Sequence, residues 1–286
     1  MKFFCFRFDV DTHRCIKKGV PNLLMLSRRL GVTFTFFINM GKGTSRWIYL
    51  KKRFSRFKHL PQEKRFKLSN LKKLGAYDYF VTLLLNPTVG SSSPDIIQDA
   101  YSSGHEIGLH GGTNHGVWQY EGSEWSEEKI GAEVSNALEN LKKLPIEIPI
   151  GFSSPGWNGC AKLHRVLESM NFKYIADAHG IELNKIEKVE DGPNLYQVPT
   201  NILGEPGGIG YIENLRAQGM DDKEILIRFE GSLEGKKTAV VYEHPCYAGI
   251  QELPLVEKMI CSARTLGFRT TTLKNIIGET CMEFPK

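Results

Sequence analysis

The sequence predicts an α/β protein whose alternating strands and helices form a distorted barrel. Segments typical of strands and of amphipathic helices follow one another along most of the 286 residues, without a linker-like stretch. Such repetition requires parallel strands covered by helices. Seven or eight strands favour a (β/α) barrel, and a doubly wound open sheet is the second choice. We predict one domain over residues 1–286, since a chain of this length can bury a large core.

The elements of the first half follow from local sequence. Residues 2–9 form an apolar strand, residues 18–30 an amphipathic helix with Pro21 in its first turn, and residues 32–39 a β-branched and aromatic strand. Ser93 and Pro94 are typical of a helix start, as N-cap and first helical residue. A strand over 106–109 and a helix over 126–144 follow.

The second half repeats the alternation. We predict strands over 148–152, 174–178, 195–200, 239–243 and 268–272, and helices over 159–170, 221–231 and 253–266. No GxGxxG follows the first strand and no GxxxxGK[ST] occurs, so the sequence does not support nucleotide binding.

Carboxylates and imidazoles stand at the carboxyl ends of three predicted strands. Asp9 and Asp11 end the first strand on one face, because side chains alternate along a strand. His110 and His115 occupy a glycine-rich turn after strand 106–109, and His244 follows strand 239–243. Ligands gather at this end of parallel sheets, and one aspartate with two histidines suits a metal that keeps a position for water. A lone aspartate could cap a helix and a lone histidine could be structural, but three such ends favour catalysis.

Composition excludes several classes of protein. No stretch approaches 18 consecutive apolar residues, so a membrane-spanning helix is not expected. The N-terminus leads directly into the first strand without a signal peptide, and the six cysteines are scattered without a Cys-x-x-Cys pair. We therefore expect no disulfides and a cytoplasmic protein, possibly at the inner face of the membrane.

A basic insertion interrupts the repeat at about residues 41–92, which is too long for an ordinary connection. Residues 45–73 carry eleven basic side chains and one acidic one, a net charge of +10 that leaves −5 for the remainder. Interleaved aromatic residues suit peripheral contact with an anionic membrane or with a polyprenyl phosphate headgroup. A solvated charged helix over the barrel is the alternative. We expect no nucleic-acid partner, because no binding motif accompanies the charge.

Six motifs give the chain a resemblance to a known superfamily. They read FRFDVDTHRCIKKGVPNLL, GHEIGLHGGTNHGVWQ, SSPGWNG, YIADAHG, YQVPTN and VVYEHPCYAG. In this order they resemble the polysaccharide deacetylases (NodB homology, carbohydrate esterase family 4), nearest to the members that deformylate lipid-linked amino sugars. The resemblance implies a distorted (β/α)7 barrel and metal-assisted removal of a formyl or acetyl group from an amino sugar. The substrate would be linked to polyprenyl phosphate, and the metal would be zinc, with cobalt, nickel or manganese as alternatives.

The resemblance also implies roles for individual residues. Asp9 would be the general base that deprotonates the attacking water, and His244 would protonate the departing amine. Asp11 and His110 would be metal ligands.

The second motif departs from the family pattern His-x-x-x-His, since position 114 is asparagine and the next histidine is His115. Either the glycine turn absorbs one residue and His115 binds the metal, or Asn114 takes the ligand position. We favour His115, because imidazole suits zinc-like metals better than a neutral amide, and leave Asn114 as a substrate contact.

A second departure lies at residues 152–157, where many deacetylases carry an arginine that orients the base. Ser153 and Ser154 cannot replace a guanidinium. Trp157 could stack on a sugar or belong to the core, and Asp177 is assigned a supporting contact near the substrate. Two alternatives remain open: hydrolysis of a soluble N-acetyl sugar or cyclic amide, and an inactive carbohydrate- or lipid-binding module.

Overall fold

The computed structural model of the protein describes residues 1–44, 84–204 and 209–280. The basic segment 45–73 therefore lies outside the described residues, and the single-domain prediction stays a prediction. Nine strands of the described ranges form one sheet in the order β6-β7-β5-β4-β3-β2-β1-β8, with β9 beside β1. They are β1 (Lys2–Val10), β2 (Thr35–Ile38), β3 (Glu106–His110), β4 (Gly151–Ser153), β5 (Tyr174–Ile175), β6 (Glu187–Val189), β7 (Gly192–Gln197), β8 (Thr238–Glu243) and β9 (Phe268–Thr270).

The sheet closes on itself just after β7. The backbone N–H groups of Asn201 and Ile202 donate to the carbonyl of Val240 in β8, at 3.2 and 3.1 Å. Within the described ranges, seven parallel strands thus form a ring: β1, β2, β3, β4, β5, β7 and β8. Strand β6 adds an antiparallel hairpin to β7, and β9 pairs with the first residues of β1. The predicted distorted (β/α)7 barrel is confirmed.

Helices follow most strands. They are α1 (Val20–Leu30), α2 (Pro94–Ser102), α3 (His115–Glu121), α4 (Glu127–Leu141), α5 (Ala161–Ser169), α6 (Tyr211–Ala217), α7 (Asp222–Leu233), α8 (Pro245–Ala248), α9 (Leu253–Thr265) and α10 (Leu273–Thr280). A π-helical turn, Cys15–Gly19, precedes α1. The sequence did not predict β6, α3, α6, α8 or α10. Among the described helices, none combines the length and apolar character required to cross a bilayer.

Two cores result from the alternation of side chains along the strands. On β1, Phe4, Phe6, Phe8 and Val10 pack outward with the surrounding helices. Phe3 and Cys5 point into the barrel, where α10 contributes Leu273, Ile276 and Ile277. The residues that follow Cys5 on this inner face are Arg7, Asp9 and Asp11, so β1 delivers three charged side chains to one end of the interior.

Candidate active site and metal-binding cluster

Three predicted ligands meet at the carboxyl end of the barrel. Asp11 follows β1, His110 is the last residue of β3, and His115 is the first residue of α3. Asp11 Oδ1 lies 3.1 Å from His110 Nε2 and 3.4 Å from His115 Nε2. Their potential ligand atoms all lie within 4.8 Å of one another, so the structure brings together one carboxylate and two imidazoles.

This donor set fits a divalent metal ion. His110 Nδ1 lies 3.0 Å from the carbonyl of Ser153 and can only donate to it, which leaves Nε2 directed at Asp11. Three ligands at tetrahedral bond lengths to zinc would lie about 3.3 Å from one another, close to the distances observed here. Asp11 Oδ1 is buried, and among the described residues no well-aligned hydrogen bond satisfies it, although the Nε2 atoms of His110 and His115 lie nearby. The chemistry and spacing of the cluster therefore suit zinc or a similar ion.

The side chain of Asn114 caps a helix. Its side-chain oxygen accepts from the backbone N–H of Val117 at 3.1 Å and thereby caps α3. The helix start places His115 next in the chain, where its own N–H donates to the carbonyl of Lys42 at 2.9 Å. A one-residue shift from the family spacing thus gives a capped helix with an imidazole at its first position.

The turn after His110 depends on glycine. Gly111 has φ = +68°, and a Cβ atom there would lie 2.5 Å from Pro155 Cγ. Both facts disfavour any side chain at this position. The turn is then fixed by Glu133, whose Oε2 accepts from the backbone N–H of Thr113 at 2.7 Å.

Asp9 and His244 lie on either side of the cluster. Asp9 is 4% exposed, and its Oδ2 lies 4.0 Å from His110 Nε2. His244 Nε2 lies 3.0 Å from Asp11 Oδ2 and 2.9 Å from the Tyr242 hydroxyl. Asp11 therefore faces His110 and His115 with one oxygen and His244 with the other.

The charges of the site shift several pKa values. Burial lowers the pKa of His244, but the carboxylates of Asp11 and Glu213 outweigh burial and hold it well above its usual value. His110 behaves similarly: burial lowers its pKa, while Asp9 and Asp11 produce a net increase. Burial raises the pKa of Asp11, but His115 and His244 bring it well below the ordinary value. The neighbouring carboxylates thus favour the protonated imidazoles of His110 and His244.

Arg7 is the main residue of the site that the sequence did not predict. Its fully buried guanidinium contacts both oxygens of Asp9, with Nη2 2.7 Å from Oδ2 and 3.0 Å from Oδ1. Burial lowers the pKa of Arg7, but the charge and the hydrogen bonds of the Asp9 carboxylate raise it. The net shift is upward, and the guanidinium stays protonated. The sequence signal was the same two-residue spacing that linked Asp9 to Asp11.

Two further contacts of His244 were also missed. Tyr242 could have been found, because it lies two residues before His244, near the end of β8. Glu213 Oε2, 3.6 Å from His244 Nδ1, comes from α6 in a distant part of the chain, and no local pattern indicates it.

Trp157 and Asp177 border this site in different ways. Trp157 is partly exposed and packs over the Arg7 guanidinium, 4.6 Å from ring centroid to Cζ, and against His179. Asp177 Oδ1 accepts from the backbone N–H of Ser154 at 2.7 Å, and burial raises its pKa. Its Oδ2 is buried without a hydrogen-bond partner among the described residues. The substrate contacts predicted for both residues stay predictions.

Comparisons with known proteins agree with this fold. Residues 4–175 match the family model described as polysaccharide deacetylase. A probable 4-deoxy-4-formamido-L-arabinose-phosphoundecaprenol deformylase from Shewanella sediminis is 29% identical over 180 residues, which are 61% of this chain. The match spans 56% of that relative's length.

Solved structures extend the likeness along the chain. A polysaccharide deacetylase candidate from Mycobacterium smegmatis has a TM-score of 0.64 at 15% identity, covering 99% of this chain and 94% of that one. The Puue allantoinase has a TM-score of 0.60 at 14% identity, covering 97% and 90%. At these identities the structures support the fold alone. The family model matches more than half of the chain, and the protein belongs to the polysaccharide deacetylase family.

Proposed function

We propose that this member of the polysaccharide deacetylase family is a metal-dependent hydrolase that removes a formyl or acetyl group from the nitrogen of an amino sugar. One observation carries the proposal: the Asp11–His110–His115 cluster has a buried carboxylate, Asp9, on one side and a histidine, His244, on the other. Amide hydrolysis needs a base for the attacking water and an acid for the leaving amine, and Asp9 and His244 would supply them beside the cluster.

Asp11, His110 and His115 would hold the ion. When bound, the ion would polarise the amide carbonyl and lower the pKa of water. Asp9, which is buried beside His110, would accept the proton of the attacking water. Ser153 would fix the His110 tautomer through its carbonyl, so that Nε2 stays available as a ligand.

His244 would supply the proton for the amine, which is a poor leaving group until it is protonated. Glu213 near Nδ1 and Asp11 near Nε2 favour the cationic imidazole and fix the orientation of its ring. The proton donor would therefore be charged before the carbon–nitrogen bond breaks.

We further propose that the sugar is linked to polyprenyl phosphate, at the cytoplasmic face of the membrane. The likeness to a phosphoundecaprenol-sugar deformylase supports this substrate class, as does the +10 charge of residues 45–73. Purified protein should float with anionic vesicles and not with neutral ones, and salt should weaken the association because it screens the charges. Absence of binding to anionic vesicles at low salt would contradict the membrane contact.

The test of the activity begins with protein purified without chelators or a metal-affinity tag. We expect about one equivalent of zinc or a similar metal, and release of formate or acetate from amido sugars. His110→Ala should lose the metal. Asp9→Asn should keep it and lose about 10²–10⁴-fold in kcat, the usual contribution of a general base. Asp99→Asn, a half-exposed carboxylate paired with Arg28, is the matched control and should retain full activity.

Each contrary result points to one of the alternatives. A metal-loaded protein that binds sugars or lipid but releases no acid would be an inactive binding module. Turnover of soluble N-acetyl sugars or cyclic amides in preference to lipid-linked sugars would remove the substrate assignment and keep the hydrolase. Failure to bind any metal after reconstitution would contradict the ligand assignment itself.

A further inference from the structure

The Arg7 guanidinium has an unusual position for an arginine. Arg7 is fully buried inside the barrel, on the same face of β1 as Asp9 and Asp11. Besides Asp9, it contacts groups from three other parts of the ring: Nη2 donates to Ser153 Oγ at 2.6 Å, and Nη1 donates to the carbonyl of Ala176 and lies 3.4 Å from Thr200 Oγ1. Its donors are directed at acceptors on β4, after β5 and after β7.

Aromatic rings enclose the same group. The centroids of Phe37, Trp157 and Tyr242 lie 5.0, 4.6 and 5.2 Å from Arg7 Cζ. Trp157 has φ = +57°, a conformation that bulky side chains rarely adopt and that surrounding contacts must maintain. The guanidinium is thus held both by hydrogen bonds and by cation–π contacts with three rings.

The orientation of Asp9 follows from Arg7. Asp9 Oδ1 accepts from Nε at 3.3 Å and from Nη2 at 3.0 Å, and Oδ2 accepts from Nη2 at 2.7 Å. Ser153 Oγ also lies 3.4 Å from Oδ2. With both oxygens engaged, the carboxylate cannot rotate freely, and Oδ2 is held 4.0 Å from His110 Nε2 beside the metal-binding cluster.

Ser153 makes room for this arrangement. It is fully buried at the end of β4, within the segment where a base-orienting arginine was expected and is missing. Its hydroxyl lies 2.6 Å from Arg7 Nη2, so a longer side chain at 153 would occupy the space that the guanidinium fills. A small residue on β4 and a long one on β1 are therefore complementary.

We propose that Arg7 is the positioning residue of the catalytic base. It lies on the same strand as Asp9 and holds the Asp9 carboxylate in the orientation needed to accept a proton from water. The inference rests on the proposed hydrolase function and adds a residue to it. Arg7 has no assigned contact with substrate or metal and acts through Asp9.

The test compares Arg7→Lys and Arg7→Met with wild type in the zinc-loaded protein. Lysine keeps the charge but cannot engage both oxygens in one plane, and methionine keeps much of the volume without charge. We expect kcat to fall roughly 10²-fold in both, as for a catalytic group misplaced by about 1 Å, while KM and zinc content stay near wild type. Arg165→Met removes an exposed arginine that also pairs with two carboxylates, Glu127 and Asp191, and should leave kcat unchanged.

A purely structural role would give other results. Folded, zinc-loaded Arg7 variants with wild-type kcat would overturn the inference, as would a kcat loss that only tracks the fraction of folded protein. In Arg7→Ala, added guanidinium ion should raise kcat whereas urea, a neutral molecule of similar shape, should not. Equal stimulation by both would indicate cavity filling and would also overturn it.

A measurement without substrate separates this inference from the proposed function. Thermal unfolding of Arg7→Lys, Asp9→Asn and the double variant should show non-additive losses, because the two side chains form one buried unit. Additive losses would overturn the inference. Coupled losses in a protein without any hydrolase activity would instead leave the pairing intact and contradict the proposed function.

Discussion

Removing the His115 imidazole should abolish metal binding, whereas truncating its neighbour Asn114 should not. His115 Nε2 lies 3.4 Å from Asp11 Oδ1, while the Asn114 side chain is engaged in capping α3. His115→Ala leaves two ligands for the ion, and Asn114→Ala leaves three. The pair isolates the ligand question because the two residues are adjacent and both changes truncate a side chain to alanine.

The stability contributed by zinc binding depends on the presence of metal, whereas the stability contributed by the Asn114 cap does not. At a free zinc concentration 100-fold above the dissociation constant, binding to the folded state adds about 2.7 kcal/mol to the free energy of unfolding. For a chain of this size that corresponds to a rise of roughly 5–10 °C in the unfolding midpoint. The Asn114 cap contributes about 1 kcal/mol, or a few degrees, whether or not metal is present.

The assay is thermal unfolding of wild type, His115→Ala and Asn114→Ala with and without zinc, alongside bound metal by mass spectrometry. We expect Asn114→Ala to unfold a few degrees earlier in both conditions and to keep the full zinc-induced rise. His115→Ala should lose that rise and its bound metal. Retained zinc in His115→Ala together with lost zinc in Asn114→Ala would refute the ligand assignment.

Two other predictions concern the scaffold. His105 Nδ1 accepts from the backbone N–H of Phe34 at 2.9 Å, and burial lowers its pKa to about 4. The unfolded chain therefore binds a proton first as pH falls from 6.5 towards 4, and the fold should lose on the order of 3 kcal/mol over that window. Urea titrations should show a weaker pH dependence in His105→Asn, and an unchanged dependence would contradict this assignment. Gly111→Ala should lower both the unfolding midpoint and the metal content, because its Cβ would meet Pro155 beside His110. Gly219→Ala, with φ = +87° and open space around it, carries a similar backbone cost of roughly 1 kcal/mol and should retain its metal. Equal metal loss in both variants would contradict this prediction, because it would show that the loss does not depend on the position of Gly111 beside His110.

Much of the fold was predictable because it depends on local patterns. The alternation of apolar strands and amphipathic helices predicted the barrel. Strand β1 and helix α9 lie within one residue of their predicted bounds, and α2 begins at the predicted Pro94. Short elements were missed where tertiary contacts decide the structure. Helix α3 starts at His115, inside a segment rich in glycine and asparagine, because Asn114 caps it and the barrel supports the preceding turn.

The site was predictable only in part for a similar reason. Side chains at strand ends could be placed together, since the ends of parallel strands converge. Glu213 could not be placed there, because its distance from His244 depends on how α6 packs against β8 and not on any local pattern. The alternation of side chains that placed Asp9 also places Arg7 on the inward face of β1. It was not predicted because the strand was identified by its apolar residues.

The register of β1 explains why this site can tolerate an altered second motif. Arg7, Asp9 and Asp11 occupy three successive inward positions on β1 and directly after it, so this segment sets the distances between the proposed positioning cation, the proposed base and a proposed metal ligand. Arg7 is paired with Thr35 on β2 and with Tyr242 on β8, so neighbours on both edges fix that register. A one-residue slip would place phenylalanines in the site and charges against the helices, at a prohibitive cost. The distances among Arg7, Asp9 and Asp11 are therefore set by β1, whose register is fixed by neighbouring strands on both sides. The loop after β3 has only to return one imidazole to Asp11, which a glycine turn and a capped helix achieve with a spacing different from the usual one.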